Sequence, residues 1–389
     1  MNSDMSAKNA TADAVGVAAD AAPSGELRSE AAVSPDASLM TTESGGGVGD
    51  FLRRIVKVQS FQILLVLLAI SLVFSVLAPD TFPTWANLRL VIQNVSILAV
   101  LGIGMTYVII TSGIDLSIGS VLVFSGVIAA KVMQSMGGDG WGTAIVGILV
   151  SIVCGILWGL LNGALIAKAK VPPLIVTLGT LSGALGLAQV ITGGVDIREV
   201  PAVLADNIGY GNIPGTTIPT ISVIALIFLV IFGVVLHKTR YGLYTYAVGS
   251  NEESARRVGV KVDRHLITIY ALSGFMAGVA GILSLAQYST TAIAGQSNTS
   301  LAVIAAVVIG GTSLFGGIGT IFGTVVGLFI PAILQNGFVI TGVQPFWQQV
   351  AIGAVLIVAV YIDQRRRAAA SRANKTGKRS LAHLFRRPA

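Results

Sequence analysis

From Ile218 to Ala286 the chain reads IPTISVIALIFLVIFGVVL, then HKTRYGLYTYAVGSNEESARRVGVKVDRH, then LITIYALSGFMAGVAGILSLA. Each apolar run has about the 20 residues that one helix needs to cross a hydrocarbon layer roughly 30 Å thick. In lipid every backbone polar group must be satisfied internally, so runs of this kind fold as helices. Between them, Lys238 to Arg264 is a concentrated charged insertion, and a membrane protein that holds out such a knob points to a soluble partner.

Inside the insertion, Ser250 followed by Glu253 has the form of a capping box, which predicts a helix starting at Ser250. Glu252 and Glu253 then lie at the positive end of the helix dipole and Arg256 and Arg257 at the negative end, with i,i+4 spacing between Glu252 and Arg256 and between Glu253 and Arg257. Gly259 is placed to stop the helix. Isolated helices shorter than about 12–15 residues are marginal in water, so this one must rest on another element. A solvated loop whose charges only set topology is the alternative reading.

Outside the insertion, the 389 residues are 53% hydrophobic and 11% charged, with a mean hydropathy of +0.81. Soluble domains carry about 25% charged residues, so the sequence predicts an all-α, polytopic membrane protein. About ten apolar runs are legible: 61–77, 91–110, 116–133, 143–167, 174–191, 218–236, 266–286, 301–309, 318–340 and 346–362. The eighth is short and bounded by glycine, as a half-span or re-entrant piece would be. The 46 glycines permit close helix packing and broken helices. The one cysteine, Cys154, lies in an apolar run and supports neither a disulfide framework nor a thiolate metal site.

Residues 1–50 contain eight acidic and two basic residues and few large apolar side chains, which predicts a disordered extension before a permease domain over 51–363. The extension has no signal-peptide core, so the first span must direct insertion. With ten spans and the N-terminus inside, the cytoplasmic segments collect Arg53, Arg54, Lys57, Lys168, Lys170, six bases of the 238–264 loop and nine after Ile362; the outer segments receive Arg89, Lys131 and Arg198. By the positive-inside rule, both termini and the Ser250 helix face the cytoplasm of a prokaryotic cell membrane. The net charge of +7 then needs no nucleic acid, and the basic tail 364–389 serves topology and solubility, with anionic lipid as its other partner. The longest outer loop, 193–217, reads equally as solvated chain or as a contact for an external partner.

No GxxxxGK[ST] phosphate loop occurs, so the chain is not expected to hydrolyse ATP or bind a cofactor itself. His237, His265 and His383 are too scattered for a metal site or a triad, so neither metal ligands nor catalytic residues are expected. Asp115, with Ser117 in TSGIDLSIGS, is the one acid closely flanked by apolar sequence. It reads as an N-cap for the third helix, while intramembrane acids also mark transport paths. Asn94, Asn162, Thr177, Thr180, Gln335 and Asn336 are neutral polar groups in or near spans. Such residues line a path for an uncharged polyhydroxy solute or form inter-helix hydrogen bonds.

Five segments carry a resemblance: TSGIDLSIGS (Thr111–Ser120), VPPLIVTLGTL (Val171–Leu181), RYGLYTYAVGSNEESARRVGVKVDR (Arg240–Arg264), IAAVVIGGTSLFGGIGT (Ile304–Thr320) and PFWQQVAIG (Pro345–Gly353). Together they run in order across the membrane region, and the chain resembles the permease subunit of bacterial ABC importers for monosaccharides, the ribose-type branch. The resemblance implies a homodimeric pore, a solute-binding protein outside and a pair of ATP-hydrolysing subunits inside. It makes Ser250, Asn251, Glu252, Glu253, Ala255, Arg256, Arg257 and Gly259 the coupling helix that docks on the ATPase. A related permease for nucleosides or branched-chain amino acids, or an ion-coupled secondary carrier, are the competing readings. The sugar itself leaves no trace in these residues.

Overall fold

The computed structural model describes residues 59–294 and 299–344, with scattered positions between 347 and 365. The extension 1–50, the basic tail beyond 365 and part of the tenth apolar run lie outside the described residues. No strand forms among the described residues; the single bridge is Asn212 to Pro219.

Among the described residues these α-helices follow in order: α1 (Gln59–Leu77), α2 (Trp85–Ile110), α3 (Ile118–Met136), α4 (Trp141–Ala167), α5 (Pro173–Thr192), α6 (Ala202–Leu204), α7 (Thr220–Lys238), α8 (Arg240–Ser250), α9 (Glu252–Arg257), α10 (Val262–Tyr288), α11 (Thr299–Ile309) and α12 (Ile321–Ile340). Among the described residues seven of them, α2, α3, α4, α5, α7, α10 and α12, are long and apolar enough to cross a membrane. The expected count of about ten is not confirmed by these seven. The eighth run forms only the eleven-residue α11, and the first is a shorter apolar helix, Ile63–Leu77, within α1.

Burial sorts the spans into a core and a rim. In α2, α3 and α10 two thirds of the apolar window is buried, against 17% in α7, whose Leu226, Ile227, Val230, Ile231 and Val234 lie exposed. In lipid there is no hydrophobic force between helices, so association needs small residues that let backbones touch. On α4, Gly155, Gly159 and Gly163 recur every fourth residue and face Gly274, Tyr270 and Ile267 of α10. A Cβ on Gly155 or Gly274 would overlap the other's carbonyl oxygen. Ser151 Oγ donates to Gly278 O at 2.8 Å and closes the same seam.

Two helix starts are capped as their sequences dictate. Thr84 Oγ1 accepts from Asn87 N at 3.2 Å ahead of α2, and Thr320 Oγ1 accepts from Gly323 N at 3.0 Å ahead of α12. The 193–217 connection is neither a plain solvated loop nor a free arm. Within it α6 continues into a wide turn, Ala205–Gly209, that packs on α2 and α10: Leu204 is buried, Gln93 Nε2 donates to Gly209 O at 3.4 Å, and Gly209 leaves no room for a Cβ against Ala286 O.

Candidate functional site

The coupling segment begins one residue later than its sequence predicts. Ser250 is the last residue of α8, and Asn251, extended at φ −162°, ψ 104°, is the N-cap of α9. Its Oδ1 accepts from Ser254 N at 2.8 Å. The capping box fails for a physical reason: a cap residue must leave the helical region, and Ser250 is still inside the preceding helix, a helix that the charged insertion concealed. Asn is as good a cap as Ser, so the start moves by one residue.

The other end is as expected. Gly259 takes φ +88°, Val260 N donates to Ala255 O at 3.0 Å and Gly259 N to Arg256 O at 3.0 Å. This pair of bonds is the Schellman closure, which needs a residue comfortable in the left-handed region. Glu252 Oε1 pairs with Arg256 at 2.8 Å and Glu253 pairs with Arg257, both along one helix face. Ala255 turns inward and packs with Val248 and Val262, which supplies the support that so short a helix requires.

Asp263, at the start of α10, pairs with Arg256 and also with Lys170 Nζ at 2.9 Å. The bonds to Asp263 and then Glu252 raise the Arg256 pKa further, so its charge is permanent. Asp263 and Lys170 were not legible as site residues. Arg256 and Asp263 are seven residues apart across a helix break, and Lys170 sits on the α4–α5 connection. No helical spacing rule joins them.

From α9 the contacts run straight into the bundle. Gly249 abuts the Ile110 carbonyl oxygen, Ser112 Oγ donates to Phe315 O at 2.9 Å and to Gly249 O at 3.2 Å, Gly317 N donates to Ile110 O at 2.8 Å, and Tyr246 OH donates to Gly319 O at 2.7 Å. Ser112 holds φ +63° to do so, a conformation that costs an L-residue and persists only where its surroundings impose it.

The residues expected along a solute path separate into two groups. Asp115, Ser117 and Asn162 form a buried knot: Asp115 accepts from Ser117 N at 3.0 Å, Ser117 Oγ at 2.6 Å and Ser273 Oγ at 2.7 Å, and Asn162 Nδ2 donates to Ser117 Oγ at 2.9 Å. Asp115 is not the N-cap of the third helix. That position is Ser117, which makes no side-chain cap bond, and Asp115 binds the helix start from two residues upstream. Thr177 donates to Pro173 O and reaches Ile114 O at 3.2 Å, beside the knot, whereas Thr180 bonds only within α5. Ser273 was missed because it looks like any small residue in an apolar run.

Asn94, Gln335 and Asn336 meet instead near Tyr288, the last residue of α10. Tyr288 lies 25 residues beyond Asp263 on one helix, about 38 Å at 1.5 Å per residue, so this group and α9 occupy opposite ends of the bundle. Two cavities of about 420 and 380 Å³ open here, and both are lined by Asn94, Tyr288 and Gln335. No acidic or basic side chain lines either one among the described residues. Among those residues there is also no group of three His, Cys, Asp or Glu that could hold a metal ion.

Residues 87–360 match the family described as branched-chain amino acid transport system, permease component. The chain belongs to this family. It is 35% identical over 330 residues to a ribose import permease protein of Escherichia coli (strain K12), covering 84% of this chain and all of that one. It is 38% identical over 308 residues to a ribose import permease protein of Bacillus subtilis (strain 168), 78% of this chain and 92% of the relative. A fructose import permease protein of Rhizobium meliloti is 35% identical over 306 residues, 77% and 84% of the two chains. No solved structure matches. The chain is thus a multi-pass membrane transport component of the permease class rather than an enzyme, and the family resemblance carried by its motifs holds.

Proposed function

We propose that this protein is the membrane permease of an ATP-driven importer for a small neutral sugar or polyol. The observation that carries the reading is α9, a six-residue helix closed by Asn251 at one end and Gly259 at the other, exposed on its charged face and joined through Gly249 to the ends of α2 and the 310–320 loop. A short helix capped at both ends transmits a displacement, which a floppy loop cannot do. In this reading α9 docks on a separate ATP-hydrolysing subunit, and its motion passes through Gly249 and Asp263 to the spans. The chain binds no ATP, and transport comes from alternation between states of different solute affinity.

The further parts of the proposal are a homodimer around a shared pore, a solute-binding protein at the end remote from α9, cytoplasmic termini, and contact of the basic tail with anionic lipid. The distribution of Lys and Arg supports the orientation. The family description names branched-chain amino acids, whereas the relatives named above import ribose and fructose. The uncharged lining at the remote end favours the sugar, because a zwitterion is better served by charges or helix ends.

Reconstitution in vesicles tests the reading. With the ATPase subunit and binding protein present, uptake of D-ribose, D-fructose or L-arabinose is expected to require ATP, and the isolated chain to move none of them under a proton or sodium gradient. Deleting residues 251–258, or exchanging Arg256 and Arg257 for Glu, is expected to abolish uptake while the chain still inserts. Unimpaired uptake by a normally inserted deletion variant would refute docking through α9.

A further inference from the structure

Where α2, α10 and α12 converge at the end remote from α9, two amide side chains, Gln287 and Asn336, donate to neighbours while their oxygens keep no partner among the described residues. Gln287 Nε2 and Tyr288 OH both donate to Asn94 Oδ1, at 3.1 and 3.3 Å. Asn336 Nδ2 donates to Asn87 Oδ1 at 2.7 Å, and Asn87 Nδ2 is committed to Phe82 O at 2.9 Å. Gln287 Oε1 and Asn336 Oδ1 remain, both buried and both without a partner among the described residues. Buried amide oxygens are normally satisfied, and a pair of orphans beside one cavity calls for a donor from outside the chain.

The cavity defines that donor. Gln287 and Asn336 both line the 380 Å³ space, which shares Asn94, Tyr288 and Gln335 with its 420 Å³ neighbour. Small-molecule sites run from about 300 to 1,000 Å³, so either space admits a solute of monosaccharide size. With no acidic or basic side chain in the lining, an ion would enter without a counter-charge, at a large desolvation cost. A hydroxyl is neutral and carries one donor with two acceptor lone pairs, which matches two orphan carbonyl oxygens beside a tyrosine hydroxyl. Tyr288, 43% exposed as a residue, lines both spaces and brings an aromatic ring to them, apolar surface for the C–H side of a sugar.

We infer that Asn94, Gln287, Tyr288 and Asn336 form a receiving subsite for a neutral polyhydroxylated solute, in which Gln287 Oε1 and Asn336 Oδ1 accept two of its hydroxyl protons. The inference rests on the importer reading above and adds to it a place of first contact, at the opposite end of α10 from the coupling helix. The wide turn 205–209 completes the wall: Gly209 and Tyr210 line the 380 Å³ space and are held there by Gln93 and Arg89.

The test uses the complete importer in vesicles, with D-ribose and its 2-deoxy and 3-deoxy analogues as probes and with Gln287→Leu and Asn336→Leu as variants. Both variants are expected to reach wild-type abundance and to lower D-ribose uptake at least tenfold. The effects should be non-additive: a deoxy analogue that slows the wild type should slow one of the two variants no further, because the lost hydroxyl and the lost oxygen are two halves of one bond. Wild-type D-ribose uptake in both variants would overturn the subsite, as would losses that multiply with those of every deoxy analogue. Absence of ATP-driven D-ribose, D-fructose and L-arabinose uptake by the wild type would instead overturn the importer reading, and the subsite with it.

Discussion

Gly249, one residue from the end of α8, lies against the carbonyl oxygen of Ile110, the last residue of α2, with no space for a side chain between them. The contact joins the base of the charged insertion to the end of a buried span. Gly317 N donates to the same Ile110 oxygen at 2.8 Å, so three segments of chain meet at one atom. A displacement of α9 has to move this junction.

Gly249→Ala should therefore act as an overpacked core substitution, costing about 1–3 kcal/mol. We expect a lower Tm in detergent and a larger loss of D-ribose uptake than of sugar-free ATPase rate in the assembled importer. An Ala variant with wild-type Tm and uptake would show that the junction carries no motion.

Asp263→Asn removes the charge that links Arg256 to Lys170. Exposed ion pairs are worth roughly 0.2–1 kcal/mol each, so Tm should change little. Amide exchange across residues 252–257 should nevertheless accelerate and uptake fall several-fold, because α9 loses its tie to α10. Raising salt towards 1 M, where the Debye length is about 3 Å, should weaken wild-type coupling in the same direction. Unchanged exchange in the variant would remove Asp263 from the pathway.

At Asp115, Asn should be tolerated better than Leu. An Asn oxygen still accepts from Ser117 N, and its amide can donate to Ser273 Oγ, whereas Leu strands the Ser117 and Ser273 donors at about 1–3 kcal/mol for each buried group. Thermal stability and uptake should fall together for Leu and hardly at all for Asn. Full stability with complete loss of uptake in both variants would identify a role for the charge itself.

The N-cap can be located by substitution. Asn251→Ala should destabilise α9 by about 0.5–2 kcal/mol, seen as faster amide exchange at Ser254 and Ala255, while Ser250→Ala should leave exchange in α9 unaltered. The reverse pattern would restore Ser250 as the cap.

Read by itself, the sequence determined what depends on neighbours along the chain. It determined that the protein is helical and crosses a membrane, because each span announces itself over about 20 consecutive residues. It also determined that a charged helix between Ser250 and Gly259 would carry Glu252–Arg256 and Glu253–Arg257 pairs, because i,i+4 partners meet on any helix. Its error at Ser250 came from the same locality, since the residue suits a cap and only the presence of α8 before it rules that out. Tertiary structure alone decided the rest. Asp263 reaching Lys170, Ser273 reaching Asp115 and Gln287 reaching Asn94 join residues 93 to 193 positions apart. Their side chains are ordinary in their own segments, and they become a site only when glycine seams such as Gly155 against Gly274 bring the backbones into contact.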